Sequence, residues 1–551
     1  MKTPSWRLMM LAVVVFCVSV AYFATFAAYD DSLGKSSQMY LDEARAIRGD
    51  FALNERKTPS YHPLYPVVVA LVHTPVTGSW ERTARSVSVL SSALLVVLLW
   101  AWLRHADSAS AGWAVGVLLL TNAIFVSYST QVMAEAIGLL FFTASVVCVW
   151  QVGTRASLYW SLAAGVFAGL FALARTEGVL HIGYFLVPLV ALSWTASKSY
   201  RKVLVNLLIC LAAAIVVLVP YMIHLYPYNQ RVSLFPDTKY GGVQGQRLPE
   251  VLWREIESLP LGTEVVEDRF VGVRGIPSLV GKMKYAFREY GEAVYEMNRE
   301  LLAEILGAFA LVLIGVSLIP RSGSNESGAR LLIFLIYSAL FSLVACAFTI
   351  KAFDFDALER HLIYLLPPAL ALAAIGCRKL ASLVAGAIPS ARWRLPLSQR
   401  SVMFGATLSA VALVAAPGMY WHSRSLQEAN SNRRVIREAA EYILSEATVT
   451  PPVIGSYDQT QSFEADGWYV PFRRAKQGSL LEYSRRYGVE FVSAMGWGSK
   501  PWRQGMAPFL TKESVPDAFE YLREFGDPAG FHVVIYRVVP ARPGKPRPDD
   551  P

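Results

Sequence analysis

The sequence predicts a polytopic α-helical membrane protein of about eleven transmembrane helices with a small C-terminal α/β extracytoplasmic domain. Three observations carry that prediction. Hydrophobic residues fill 54% of the 551 positions and charged residues only 17%, whereas soluble domains are about a quarter charged. The apolar residues fall in separate runs of membrane length. From about residue 421 onward the composition turns polar and mixed.

The runs lie at about 8–28, 86–103, 112–127, 136–152, 158–174, 179–195, 203–222, 301–319, 331–349, 361–377 and 402–420. Each is near the roughly 20 residues needed to cross a hydrocarbon core. The first follows Lys2 and Arg7 as a secretory signal would. It is long enough to span, however, and Thr25 to Ala28 fits a small-residue cleavage site poorly, so a retained helix is expected.

Orientation comes from the short loops. Arg104, Arg155, Lys198, Arg201, Lys202, Arg321, Arg330, Arg378, Lys379, Arg392, Arg394 and Arg400 share one side with Lys2 and Arg7. The positive-inside rule makes that side the cytoplasm. The expected arrangement is therefore multi-pass, with a cytoplasmic N-terminus and an extracytoplasmic C-terminal domain. Tyr65 to Val72 is apolar but ends at His73 and Pro75, too short to cross, and reads as a segment lying on the outer face.

The expected organisation is a transmembrane domain over 1–420 with external loops at about 29–85 and 223–300. A soluble α/β domain over 421–540 and a disordered tail over 541–551 follow. In the soluble part, Arg433 to Ser445 has helical spacing, and Pro452 to Gly455, Val489 to Ala494 and Phe531 to Val539 read as strands. Gly165 and Gly169 form a small-xxx-small pair suited to helix packing.

Several chemistries are disfavoured. The formal net charge is +9, but the basic residues flank apolar spans, so nucleic acid is not an expected partner. All five cysteines lie in apolar runs, and neither a CxxC nor an HExxH motif occurs, so no disulfide framework or metal cluster is implied. No cofactor is expected. A divalent cation would have Asp354, Asp356 and Glu359 to use, although acids in an exposed loop ordinarily bind none.

Glu135 stands out on its residues alone. It sits between the run ending at Met133 and the run beginning at Ala136, at a tight turn where membrane meets water. A carboxylate there is costly if it slips into lipid, by about 2.5–3.5 kcal/mol near a helix centre. The plain alternative is an end-of-helix carboxylate that snorkels to water.

Around it other motifs fall in order. Asp30-Asp31 is followed by Tyr40-Leu41-Asp42-Glu43-Ala44 leading to Gly49, and then by Tyr61-His62-Pro63-Leu64-Tyr65-Pro66. Next come Met133-Ala134-Glu135-Ala136 and Leu173-Ala174-Arg175-Thr176-Glu177-Gly178. Late in the chain stands Glu359-Arg360-His361-Leu362-Ile363-Tyr364-Leu365-Leu366-Pro367. Together, on this topology, they resemble the C-type glycosyltransferase superfamily. The nearest branch is that of the bacterial relatives of protein O-mannosyltransferases and lipid A aminoarabinose transferases. The resemblance covers about 29–195 well and the span near 360 loosely.

The resemblance implies an integral-membrane glycosyltransferase and, since the branch is bacterial, a plasma (inner) membrane location. It would move a sugar from a polyprenyl-phosphate donor to a lipid, glycan or protein acceptor on the external membrane face. It implies an acid in the first external loop acting as general base or orienting the acceptor, a second acid matching Glu135, and basic residues holding the carrier phosphate. Relatives often place the first acid about four residues before the tyrosine of the Y-x-x-x-A box, where this chain has Ser36 preceded by Lys35. The candidates are then Asp31, next Asp30, or else Asp42 and Glu43.

For such a transfer the acceptor hydroxyl must lose a proton, which a carboxylate can take. The departing phosphate must have its charge met. Asp31, Asp30 and Glu135 suit the first need; Arg175, Arg360 and Arg85 suit the second. Each has a duller reading. The acid pair can mark a solvated span end, Arg175 can pair locally with Glu177, and Arg85 and Arg360 can be interfacial anchors. His62 and Tyr65 are substrate-binding candidates that otherwise belong to an aromatic interface belt, as do Tyr226, Tyr228, Tyr240 and Trp253 of the middle loop.

Two readings from other classes stay open. A secondary transporter would show paired broken helices in two related halves and charges at mid-membrane. A non-catalytic cell-envelope assembly subunit would keep the loops and dispense with the acids.

Overall fold

With no water in the hydrocarbon core, a chain crossing it must bond its own backbone, and helices do this within one segment. The computed structural model describes residues 6–30, 35–49, 63–74, 78–155, 157–175, 177–234, 249–258, 314, 316–318, 326–349, 363–387, 399–456, 460–472, 480–497, 500–501, 506–512, 515 and 518–539. A helix overlies every predicted span except 301–319, most of which lies outside the described residues.

In chain order the helices are α1 (Trp6–Tyr29), α2 (Lys35–Ile47), α3 (Leu64–Val72), α4 (Trp80–Ala106), α5 (Ala109–Thr121), α6 (Ala123–Thr130) and α7 (Glu135–Arg155). Then come α8 (Leu158–Ala174), α9 (Glu177–Ser197), α10 (Tyr200–Asn229), α11 (Glu250–Ser258), α12 (Glu326–Thr349), α13 (Leu366–Ala387) and α14 (Gln399–Glu446). Among the described residues six helices are long and apolar enough to cross a membrane, or seven if α5 and α6 count as one span bent by 68°. The protein is a multi-pass membrane protein.

The chain divides into two compact units. One comprises Met1–Asp30, Tyr61–Phe235 and Val271–Ser425; the other comprises Asp31–Ser60, Pro236–Phe270 and Leu426–Pro551. In the first, a core of Trp100, Phe125, Phe142, Phe171, Phe185 and Tyr364 is buried. Leu204, Leu208, Ile215, Val216 and Ile223 of α10 are exposed, as expected of a surface that meets lipid tails. Helix α8 lies close on α10 because Gly165 and Gly169 have no side chains: a Cβ at Gly165 would sit 2.1 Å from the carbonyl oxygen of Cys210.

Helix α4 has 27 residues, about 40 Å of helix, and its two ends differ in chemistry. Ser79 caps its start by accepting from the Arg82 amide. Its far end closes at Asp107, which pairs with Arg378 of α13 at 2.9 Å. The short helix α3, with nine residues, is well short of the length needed to cross. Tyr65 anchors it to α4 by donating to the Ala84 carbonyl at 2.9 Å, and His73 stacks on Trp80 with centroids 3.7 Å apart.

The second unit is built on a mixed sheet of order β2-β1-β3-β6-β5, with a short β4 beside β3. The strands are β1 (Val453–Ser456), β2 (Trp468–Pro471), β3 (Phe491–Trp497), β4 (Lys500–Pro501), β5 (Phe519–Gly526) and β6 (Phe531–Val538). Their short helices are α15 (Thr460–Glu464), α16 (Leu480–Arg486) and α17 (Ala507–Thr511). β1 runs parallel to β2 and β3, while β6 runs antiparallel to both β3 and β5. The three strands expected from sequence are β1, β3 and β6. The edge strands β2 and β5 escaped because one is a short run ending at Pro471 and the other is interrupted by Glu520, Arg523 and Glu524.

Two segments from loops between the apolar helices belong to this unit. Helix α2 packs on α15, burying Leu41 and Ala44, and Arg45 lies 3.5 Å from Asp466. In α11, Glu255 pairs with Arg486 at 3.2 Å and accepts from the Tyr487 hydroxyl.

Tyr536 in β6 donates to the Phe509 carbonyl at 2.7 Å, and burial pushes its phenol up from near 10 to about 12. A raised acid keeps its proton on folding, so its contribution is whole below about pH 10 and lost as the pH climbs to about 12. Tyr536→Phe should lower hydrogen-exchange protection of Phe531–Val538 in the full-length protein by about 1–3 kcal/mol, since the carbonyl is left unpaired. It should also flatten the fall in that protection between pH 10 and 12.

Candidate active site

Helices α7 and α8 form an antiparallel hairpin, which brings the start of one beside the end of the other. Glu135 is the first residue of α7, and Arg175 caps the end of α8. A helix start favours negative charge and a helix end positive charge, so both groups stand where the backbone supports them. They meet across 40 residues of chain: Arg175 Nη1 donates to Glu135 Oε1 at 3.0 Å. Glu135 is 0% exposed and Arg175 4%.

This corrects one sequence reading. Glu135 does not snorkel, nor does it stand in an open watery turn. Arg175 is engaged with the distant acid; Glu177 opens α9, and its side chain lies outside the described residues.

A second ionic cluster forms around Arg85, in the second turn of α4. Its Nη1 lies 3.2 Å from Asp30 Oδ2 and donates to the Thr130 carbonyl at 3.1 Å. Its Nε and Nη2 both donate to Glu81 Oε1, at 3.1 and 2.9 Å. The Thr130 hydroxyl donates to Asp30 Oδ2 at 3.2 Å. Asp30 follows the C-terminal end of α1, where the helix dipole disfavours an acid; Arg85 and Thr130 supply the compensation. Arg85, expected as an interfacial anchor, is instead buried and holds two carboxylates.

The two clusters are joined by a short stretch of chain. Asn122 caps α6 by accepting from the Phe125 amide at 2.8 Å, and α6 delivers Thr130 to Asp30. Residues 131–134 turn back and Glu135 begins α7. Next to this turn, Ser88 lies 3.0 Å from the Tyr65 hydroxyl and donates to the Met133 carbonyl at 3.5 Å. The Tyr65 ring is fully buried and its hydroxyl donates to the Ala84 carbonyl of α4.

Below the ion pair lies an aromatic layer. Tyr364, in the short 3-10 turn Ile363–Leu365, packs on Phe171 with centroids 4.9 Å apart. His181 sits among Phe142, Phe171, Phe341 and Tyr364, at 5.2–6.3 Å. Such a floor keeps water away and strengthens the charge interactions above it.

Of the residues expected at the site, Asp30, Glu135, Arg85, Arg175 and Tyr65 are gathered in the first unit. Asp31, His62 and Arg360 lie outside the described residues, as do Asp354, Asp356 and Glu359. Sequence reasoning missed Glu81 and Thr130. Glu81 had a signal, standing four residues before Arg85 on a helix; Thr130 had none. Among the described residues no three His, Cys, Asp or Glu side chains are grouped to hold a metal ion.

Residues 59–224 match a sequence family described as dolichyl-phosphate-mannose-protein mannosyltransferase. That stretch contains Tyr65, Glu81, Arg85, Thr130, Glu135 and Arg175. No curated protein matches the chain in sequence. Among solved structures, the fold is similar to that of ArnT from Cupriavidus metallidurans bound to undecaprenyl phosphate. The TM-score is 0.56 at 13% identity, over 96% of this chain and 97% of that one. The same ArnT in the apo state matches with a TM-score of 0.55 at 12% identity, again over 96% and 97% of the chains. The chain shares the fold of these ArnT structures. Every residue of the two ionic clusters except Asp30 lies within the matched stretch.

Removing one member of the buried pair strands the other. Arg175→Met should destabilise the full-length protein by about 3–5 kcal/mol, and adding Glu135→Gln should recover most of that loss. Thermal unfolding of the purified protein in detergent checks both.

Proposed function

We propose that the protein is an integral-membrane glycosyltransferase that moves a sugar from a polyprenyl-phosphate donor to a lipid, glycan or protein acceptor on the external membrane face. The observation that carries this reading is the fully buried Glu135–Arg175 pair at 3.0 Å, one turn of chain from the Asp30–Arg85–Thr130 cluster. An arginine held on a carboxylate is a stored pair of tools. A phosphate draws a guanidinium at least as well as a carboxylate does, and the carboxylate so released can accept a proton.

The step balances as follows. The acceptor hydroxyl attacks the anomeric carbon, and the bond from that carbon to the phosphate oxygen breaks. Its electron pair leaves with the lipid phosphate, and the hydroxyl proton passes to a carboxylate. Asp30 and Glu135 are the described carboxylates placed for this, and Asp31 is the neighbouring acid that competes for the role. Arg85 and Arg175, with Arg360 from the Glu359-Arg360-His361 motif, are the cations for the phosphate. The similar ArnT structure holds undecaprenyl phosphate, which supports a polyprenyl-phosphate donor here.

The positive-inside pattern of the short loops supports the external face, and the bacterial branch that the motifs resemble supports the inner membrane. A transporter reading gains little. Among the described residues one bent helix pair occurs, α5 with α6, and its break at Asn122 carries no charge.

Purified protein supplied with radiolabelled polyprenyl-phosphate sugar and cell-envelope acceptors should transfer label. Glu135→Gln and Asp30→Asn should each slow transfer by about a hundred- to ten-thousand-fold. Full transfer by both variants would remove these acids from the reaction, and no transfer by the unaltered protein with any acceptor would overturn the enzyme reading.

A further inference from the structure

Glycine at position 138 is one helical turn beyond Glu135 on α7, so a side chain there would project from nearly the same face. Two groups fill the space it leaves. A Cβ at 138 would stand 2.7 Å from the Tyr364 hydroxyl and 3.2 Å from Cγ of Arg175. The first distance is too short for any carbon–oxygen contact, and the second forces a neighbour to give way. Gly138 has no backbone reason to be glycine, since it lies inside a regular helix where glycine is unfavourable by about 1 kcal/mol against alanine.

Which neighbour would yield is set by packing. The Tyr364 ring is 1% exposed and wedged against Phe171, Phe142 and His181, with centroids 4.9, 5.9 and 6.3 Å away. Arg175 is held by its guanidinium at the end of a flexible stem. With the ring wedged, the added carbon is pressed off the hydroxyl onto the arginine stem, and the stem, pushed aside, carries Nη1 off Glu135.

We infer that Gly138 and Tyr364 are positioning residues for Arg175. The glycine leaves room for the tyrosine hydroxyl and the arginine stem to lie side by side, and the packed tyrosine blocks the alternative paths of the stem. This rests on the proposed glycosyl transfer for its functional consequence, but the geometric part stands apart from it. Three elements distant in sequence are thereby locked together: the start of α7, the end of α8 and the turn before α13.

The test uses full-length protein in detergent and two readouts. In thermal unfolding, Gly138→Ala and Glu135→Gln should be strongly non-additive, because the alanine has already parted the ion pair; additive changes in Tm would overturn the inference whether or not the protein transfers sugar. In transfer assays, Gly138→Ala should lower kcat about a hundredfold, as a displacement near 1 Å can, with KM for the lipid-linked sugar far less affected. Adding Tyr364→Phe removes the clashing oxygen, so Gly138→Ala/Tyr364→Phe should return to the rate of Tyr364→Phe alone. A double variant still as slow as Gly138→Ala would refute the mechanism. If Gly138→Ala fails to fold, folding of the double variant with recovered transfer supports the same clash, and its failure to fold overturns it. Absence of transfer in the unaltered protein would sink the proposed function while leaving the unfolding comparison to judge Gly138.

Discussion

A carboxylate and a guanidinium withdrawn from both water and lipid are each untenable alone, and at the head of the α7–α8 hairpin each compensates the other. The attraction repays desolvation only when geometry is good. The hairpin therefore has to keep its register, so that the first residue of one helix and the cap of the other arrive together. Backbone dipoles favour both ions at these positions. Much of what surrounds them can be read as support: a glycine that leaves room for the arginine stem, a tyrosine pressed in from the α13 side, and an aromatic floor that keeps water out.

The Arg85 cluster obeys the same rule with different parts. Asp30 stands at an unfavourable helix end and needs more help, which comes from α4 and from the last residue of α6. Glu81 then occupies the remaining face of Arg85. Because Thr130 touches Asp30 and Glu135 starts the next helix, any movement of the turn over 131–134 would be felt by both clusters. The bend of 68° between α5 and α6 is what directs Thr130 toward Asp30, and its cause is local: Asn122 ends one helix and caps the next.

How far this was legible from residues differs between elements. The apolar runs were plain, because hydrocarbon enforces them, and Glu135 was visible as a charge caught between two of them. Arg175 was visible in its motif, yet its partner was not: the pairing depends on where a hairpin closes, and the nearer Glu177 was the natural guess. Arg85 was undervalued because an arginine near a span end is ordinarily a snorkelling anchor, and only tertiary contact shows that it is buried. The bond from Tyr65 to α4 was hidden as well, since a tyrosine beside prolines near an interface says nothing of where its hydroxyl goes. In the second unit, the central strands β3 and β6 announced themselves by mostly apolar runs, while β5 is interrupted by Glu520, Arg523 and Glu524. That α2 and α11 belong with that unit had no local signal at all, because Arg45 to Asp466 and Glu255 to Arg486 are contacts between far-apart stretches.

Charge bookkeeping bears on the chemistry these clusters can support. Asp30, Glu81 and Glu135 face Arg85 and Arg175, so the described groups are one positive charge short of balance when all are ionised. A carrier phosphodiester brings one more negative charge, and a departed lipid phosphate approaches two near neutral pH, its second proton leaving with a pKa near 6. A site this dry would resist that accumulation unless something offsets it. Glycosyl transfer supplies the offset itself: as the phosphate gains charge, the acceptor's proton reaches a carboxylate and cancels one. The sum over site and substrates is then the same before and after the step. A carboxylate kept in reserve by an arginine is thus suited to a reaction that releases an anion and a proton at once. Any further cation beyond the described groups would serve to admit the donor rather than to complete the transfer.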